Sequence, residues 1–115
     1  MLLQIEEHQL DGGILLVSMS GKLALGRESQ RIETTVDELA KKREHKVIFD
    51  LSKVEYIDSA GIGLLALASG KIKEGGGKLV VVSAGGRVLE MLKLTQMTAI
   101  VTLCASLAEA LAALA

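Results

Sequence analysis

This chain of 115 residues has no proline, no tryptophan, one cysteine and only two aromatic residues, Phe49 and Tyr56. Each scarcity excludes something. With no proline, no low-complexity stretch and no internal repeat there is no linker, and a single domain over residues 1–115 is expected. Cys104 cannot form an internal disulfide. Set in the apolar run from Ile100 to Ala105, it reads as a small buried hydrophobe. That thiol and two histidines show no Cys/His spacing, so no metal site and no cofactor are expected. So few rings offer no platform for stacked bases, and a formal net charge of −1 without a basic stripe speaks against nucleic acid. Glu6, Glu7 and His8 break any signal-peptide pattern at the start. Every apolar run is interrupted by Gly, Ser or Glu well short of a bilayer's span. A soluble, cytoplasmic protein with no direct membrane insertion is the expectation.

What is present is aliphatic. Half the residues are apolar, enough for a sizeable core of Leu, Ile, Val and Ala. Leu3 to Leu10 and Ile14 to Ser20 read as strands around a tight Asp11-Gly12-Gly13 turn. Gly21 to Gly26 reads as a loop. From Arg27 to Glu44, the positions Ile32, Val36, Leu39 and Ala40 share one helical face, with Glu28 at the start and Lys41, Lys42 and Arg43 at the end to suit the macrodipole. Val47 to Leu51 forms a strand apolar enough to be buried on both faces, followed by a second strand-like piece from Val54 to Ile57. A helix from Ala60 to Glu74 is apolar almost all round and ends at Gly75-Gly76-Gly77. Then come a strand from Leu79 to Val82, a short helix carrying Val88, Leu89, Met91 and Leu92 behind Gly85-Gly86, a strand from Ala99 to Leu103, and a last helix opened by the capping box Ser106-Leu107-Ala108-Glu109. The order β-β-α-β-α-β-α-β-α implies an α/β domain with a mixed sheet and helical crossovers.

The segment from Tyr56 to Gly63 carries the chemistry. Asp58 and Ser59 stand where strand hands over to helix, a natural N-cap position for either residue. The free N–H groups and positive dipole end of a helix's first turn also suit a serine that will carry phosphate. Gly61 and Gly63 cost about 1 kcal/mol each against alanine in a helix, which implies that something approaches the backbone closely. The letters Gly61-Ile62-Gly63-Leu64-Leu65-Ala66 match a dinucleotide fingerprint, but its acidic residue about 20 positions on is missing: Ser83 stands there. His8 and His45 have no patterned partner, so the chain is not expected to be an enzyme.

Val47-Ile48-Phe49-Asp50-Leu51 followed by Val54-Glu55-Tyr56-Ile57-Asp58-Ser59-Ala60-Gly61-Ile62-Gly63 resembles the signature of the STAS domain, found in anti-sigma factor antagonists and in the tails of sulfate transporters. Ser20-Gly21-Lys22-Leu23 resembles the family's loop after the second strand, Gly76-Gly77-Lys78-Leu79 its glycine turn, and Val88, Leu89, Leu92, Leu94, Ile100 and Ser106 to Leu111 its closing elements. The resemblance implies a STAS fold and an anti-sigma factor antagonist. Such a protein binds an anti-sigma factor that is also a serine kinase, so freeing sigma, and is switched off when that kinase phosphorylates the serine after the aspartate, here Ser59. A serine phosphatase resets it. The implied partner surface is Gly21, Lys22, Leu23 and Ala24 together with Asp58, Ser59, Ala60, Gly61 and Ile62, with Ile62 and Leu64 as the apolar residues nearest the serine. Two positions depart from the family pattern: Ala24 stands where many members are acidic, and Gly85-Gly86 where a proline-containing turn is usual. The resemblance also accommodates a STAS scaffold or accessory subunit of a stress-signalling or lipid-transport complex, in which Ser59 is only a cap.

Overall fold

The chain opens with an antiparallel hairpin: strands β1 (Gln4–Leu10) and β2 (Ile14–Leu23) pair from Leu10 and Ile14 outward to Gln4 and Ser20. Gly12 and Gly13 take positive φ (82° and 74°) in the turn, a conformation open to glycine at little cost. The structure, a computed structural model, describes residues 3–24, 27–42, 46–83 and 85–115, without the side chains of residues 27–29, 39, 40 and 42. Helix α1 (Arg27–Lys42), strand β3 (Lys46–Ile57), helix α2 (Ser59–Glu74), strand β4 (Lys78–Val82), helix α3 (Gly86–Leu94), a 3₁₀ turn (Met97–Ala99), strand β5 (Thr102–Cys104) and helix α4 (Leu107–Leu114) follow.

The five strands lie side by side in chain order, with β1 antiparallel to β2 and the other neighbours parallel. Successive right-handed crossovers marching in one direction put α1, α2 and α3 on the same face of the sheet. That face holds the larger core, where Val17, Val47, Phe49, Leu51 and Val81 meet Ile32, Val36, Leu65, Ala68, Ile72, Val88 and Leu92. The opposite face is left to α4, whose Ala110 and Leu114 pack on Ile14, Leu16, Ile48, Val80 and Val82. Strand β3 is central and buried on both sides, as its composition implies: Val47, Ile48 and Phe49 are fully buried.

Several boundaries differ from the sequence expectation. The Gly21 to Gly26 loop starts later, because Gly21, Lys22 and Leu23 continue β2 by pairing with Val54, Tyr56 and Ile57; Gly26 lies outside the described residues. The two pieces Val47 to Leu51 and Val54 to Ile57 are one strand. What reads as a break at Ser52 and Lys53 is a β-bulge, one extra residue on β3 between the pairs Ser18↔Asp50 and Ser20↔Lys53, with the Ser52 N–H and hydroxyl both donating to the Asp50 carboxylate. The last strand is shorter than Ala99 to Leu103. The Met97 carbonyl accepts from both Ile100 and Val101 N–H, folding this apolar run into a turn and leaving Thr102–Cys104 to pair with β4.

Cys104 is half-buried rather than buried, at the edge of the smaller core. The capping box at Ser106 is displaced by one residue: the Ser106 hydroxyl accepts from Glu109 N–H at 3.2 Å, but Glu109 reaches back to Ala105 N–H at 2.8 Å. In α1 the predicted face is buried at Ile32 and Val36. Glu28, Leu39, Ala40, Lys42, Arg43, Glu44 and His45 fall outside the described side chains.

Candidate functional site

Strands β2 and β3 end together, and their shared end is where the candidate residues meet. The pairs Lys22↔Tyr56 and Leu23↔Ile57 are the last in the ladder. The Leu23 carbonyl then accepts from Asp58 N–H at 3.4 Å, joining the end of β2 to the start of α2. Two segments far apart in sequence, Gly21 to Ala24 and Asp58 to Ile62, are thereby fixed against each other.

Asp58 is the N-cap. Its backbone is extended (φ −114°, ψ −175°), its carboxylate accepts from Gly61 N–H at 2.9 Å, and its carbonyl accepts the first helical bond from Ile62 N–H at 3.0 Å. The local sequence folds this way because an extended Asp satisfies one of the four orphan donors of the first turn. The capping duty falls to Asp58 and leaves Ser59 at the first helical position, exposed to solvent. No acidic residue occupies the first turn, and the Asp58 carboxylate at the cap meets the positive end of α2.

The close approach implied by the glycines is real at one of them. A Cβ on Gly61 would lie well inside contact distance of the Leu23 carbonyl oxygen and 2.8 Å from Ile57 Cγ1, whereas a Cβ on Gly63 would meet nothing within 4 Å. The group that presses on Gly61 is the chain's own β2, so the close approach is made within the chain. The dinucleotide fingerprint, which already lacks its acidic residue at Ser83, is not needed to account for this glycine.

The expected surface divides accordingly. Lys22 and Ser59 are exposed, Ala24, Asp58, Ala60 and Ile62 are half-buried, and Gly21, Leu23 and Gly61 are buried. The buried three form the joint that holds the others in place. Leu64 is 8% exposed and belongs to the core; the large apolar side chain that α2 does expose is Leu67, at 42%. Tyr56, at 50%, is an exposed neighbour of the site that periodicity did not single out. The signal for it was the spacing Leu51, Val54, Ile57: core positions three apart demand bulges in a strand, and Tyr56 is what a bulge leaves outside.

Elsewhere the possibilities thin out. His8 sits exposed on β1 with Glu6 at 3.4 Å, and no group of three or more potential ligands gathers among the described residues. No helix among the described residues is long and apolar enough to cross a membrane.

The sequence model of the STAS domain matches residues 6–110. An anti-sigma factor antagonist from Mycobacterium paratuberculosis is 25% identical, with a TM-score of 0.85 over 97% of this chain and 93% of that one. Two structures of the anti-sigma factor antagonist SpoIIAA share the fold at lower identity. The unphosphorylated form is 13% identical with a TM-score of 0.73, over 92% of each chain. The phosphorylated form, from Bacillus, is 11% identical with a TM-score of 0.75, over 97% of this chain and all of that one. No curated protein sequence matches the chain.

Proposed function

Because the chain belongs to the STAS domain family, we propose that it is an anti-sigma factor antagonist, a cytoplasmic binding protein whose affinity for an anti-sigma factor serine kinase is switched off by phosphorylation of Ser59. The observation that carries this reading is the division of labour at the α2 start: Asp58 caps, and Ser59 stands exposed beside the joined end of β2. A serine needed only as a cap would not be paired with an aspartate already doing that job.

The physics of the switch requires no refolding. A phosphate at Ser59 adds about −1.5 to −2 charge, which the N-terminus of α2 favours by about 0.3–1 kcal/mol at an exposed site and the Asp58 carboxylate opposes. A partner packed over the same spot must desolvate the anion, at a cost of several kcal/mol if it offers no counter-charge. A loss of about 4 kcal/mol already weakens binding roughly a thousandfold. A serine phosphatase then restores the binding form.

The test uses the purified chain, ATP and candidate anti-sigma factor kinases from the same cells. One phosphoryl group should appear, on Ser59 by mass spectrometry. Ser59→Ala should keep kinase binding and Ser59→Asp should lose it. Equal binding by the two variants rules the switch out, and phosphate on another residue moves it elsewhere.

A further inference from the structure

Tyr56 is the one aromatic side chain exposed among the described residues, since Phe49 is fully buried. A second bulge in β3 holds it there. Between the pairs Gly21↔Val54 and Lys22↔Tyr56, Glu55 is the extra residue. Strict alternation from Val54 would turn Tyr56 toward the core and Ile57 toward water. The bulge reverses both, leaving Ile57 buried and Tyr56 outside.

The surface around Tyr56 is unusual for its strand type. Parallel strands are ordinarily covered on both faces. Helix α4 covers its face of the sheet over Ile14, Leu16, Ile48, Val80 and Val82. Farther along β2 and β3 the same face turns polar and stays accessible, through Ser18, Ser20 and Lys53 to Lys22 and Tyr56. A hollow of about 420 Å³ lies at the other end of the domain, whereas this bare half-face contains a smaller one of about 150 Å³ bordered by Gln4, Glu6, Ser18, Ser20 and Lys53. The polar composition suits a partner that comes and goes rather than a permanent apolar cover.

Charge indicates what that partner must present. Lys22, Lys53 and Glu55 are the exposed charges flanking Tyr56 on the paired strand ends. With the half-buried Asp58 counted, two cations meet two carboxylates among the described residues and the surface is close to neutral, a balance that a phosphate of about −1.5 to −2 on nearby Ser59 would make clearly negative. A partner carboxylate seated against Lys22 or Lys53 is accepted by the first state and repelled by the second. Tyrosine is favoured as an interface anchor because it buries a large, stiff side chain at small entropic cost.

We propose that Tyr56 anchors the regulatory partner, seating its ring in an apolar pocket rimmed by carboxylates that pair with Lys22 and Lys53. This deepens the function proposed above and rests on its partner. The experiment is titration calorimetry of the full chain against a purified anti-sigma factor kinase of the same organism, at low and at raised salt. Tyr56→Ala should weaken binding at least about tenfold and Tyr56→Phe by less than about threefold, each with an unchanged melting curve. Lys22→Glu and Lys53→Glu, both at exposed positions, should each weaken binding several-fold at low salt and flatten its salt dependence. Undiminished binding by Tyr56→Ala overturns the anchor, as does tolerance of both lysine reversals. Loss with Ser59→Asp but not with Tyr56→Ala leaves the switch standing without this anchor. Loss with Tyr56→Ala but not with Ser59→Asp does the reverse. If no such kinase binds the wild-type chain, both proposals fall.

Discussion

A methyl group added at Gly61 would press on the backbone carbonyl of Leu23, which is itself fixed by the β2–β3 ladder and by the Asp58 N–H. A flexible side chain could move aside; a paired carbonyl cannot. Gly61→Ala should therefore destabilise the domain by about 3 kcal/mol, the upper part of the range for overpacking, as read from urea denaturation. Gly63→Ala should do the opposite. Its Cβ meets open space, so the gain in helix propensity, up to about 1 kcal/mol, is not offset. If the two substitutions have the same sign, the close approach has been misplaced. Cys104 supplies a second test at this scale. Burial raises its pKa, with Glu109 adding to the rise and Lys78 opposing it. A raised folded pKa means that the contribution is fully present below the thiol's ordinary value of about 8.5 and is lost as pH climbs through the folded value. The stability of the wild type should thus fall over that alkaline window by more than that of Cys104→Ala, and alkylation of the folded thiol should lag behind that of the unfolded chain.

Element by element, β3 is the strand on which the site depends, and its bulges make a prediction that ordinary strands would not. Glu55 is surplus to the pairing of Gly21, Lys22 and Leu23 with Val54, Tyr56 and Ile57. Deleting it leaves alternation from Val54 to Ile57 intact, with Tyr56 still outward and Ile57 still in the core. Deleting Val54 instead removes a buried residue and leaves the charged Glu55 to take its inward place opposite Gly21. The Glu55 deletion should fold with a melting temperature within several degrees of wild type, and the Val54 deletion should not fold; comparable loss from both would refute the register. The element order was legible because Ile32 and Val36, or Ile48 between Val47 and Phe49, carry periods of 3.6 or unbroken apolarity that depend on neighbours alone. The bulges were not, because Leu51, Val54 and Ile57 follow neither strand nor helix periodicity until β2 is laid alongside. Nor was the Gly61 contact readable beyond the general cost of a helical glycine: its cause, the Leu23 carbonyl, is remote in sequence. Asp58 and Ser59 were legible as a pair. Which of them caps was settled by geometry.

At the scale of the whole molecule, the sheet separates helix α2, which Ser59 opens, from the smaller of the two cores. Ser59 stands at the mouth of α2, whereas Ile48 is fully buried on the opposite face of the sheet, beneath α4 and between Leu16 and Val80. Ile48→Ala should cost about 3–4 kcal/mol through the cavity it leaves, a large part of the roughly 5–15 kcal/mol that holds a small domain together. Ser59→Asp should change stability by less than about 0.5 kcal/mol, as an exposed substitution at a helix start does. Because Ser59 is exposed at the start of α2 and Ile48 is buried beneath α4, the double variant should be additive in stability within about 0.5 kcal/mol. Binding should separate them completely: Ile48→Ala, assayed where it remains folded, keeps its affinity for the partner, and Ser59→Asp loses it. Coupling well above that limit between the two sites would mean that charge at Ser59 is felt through the sheet, and the switch would then be a change of shape rather than a blocked surface.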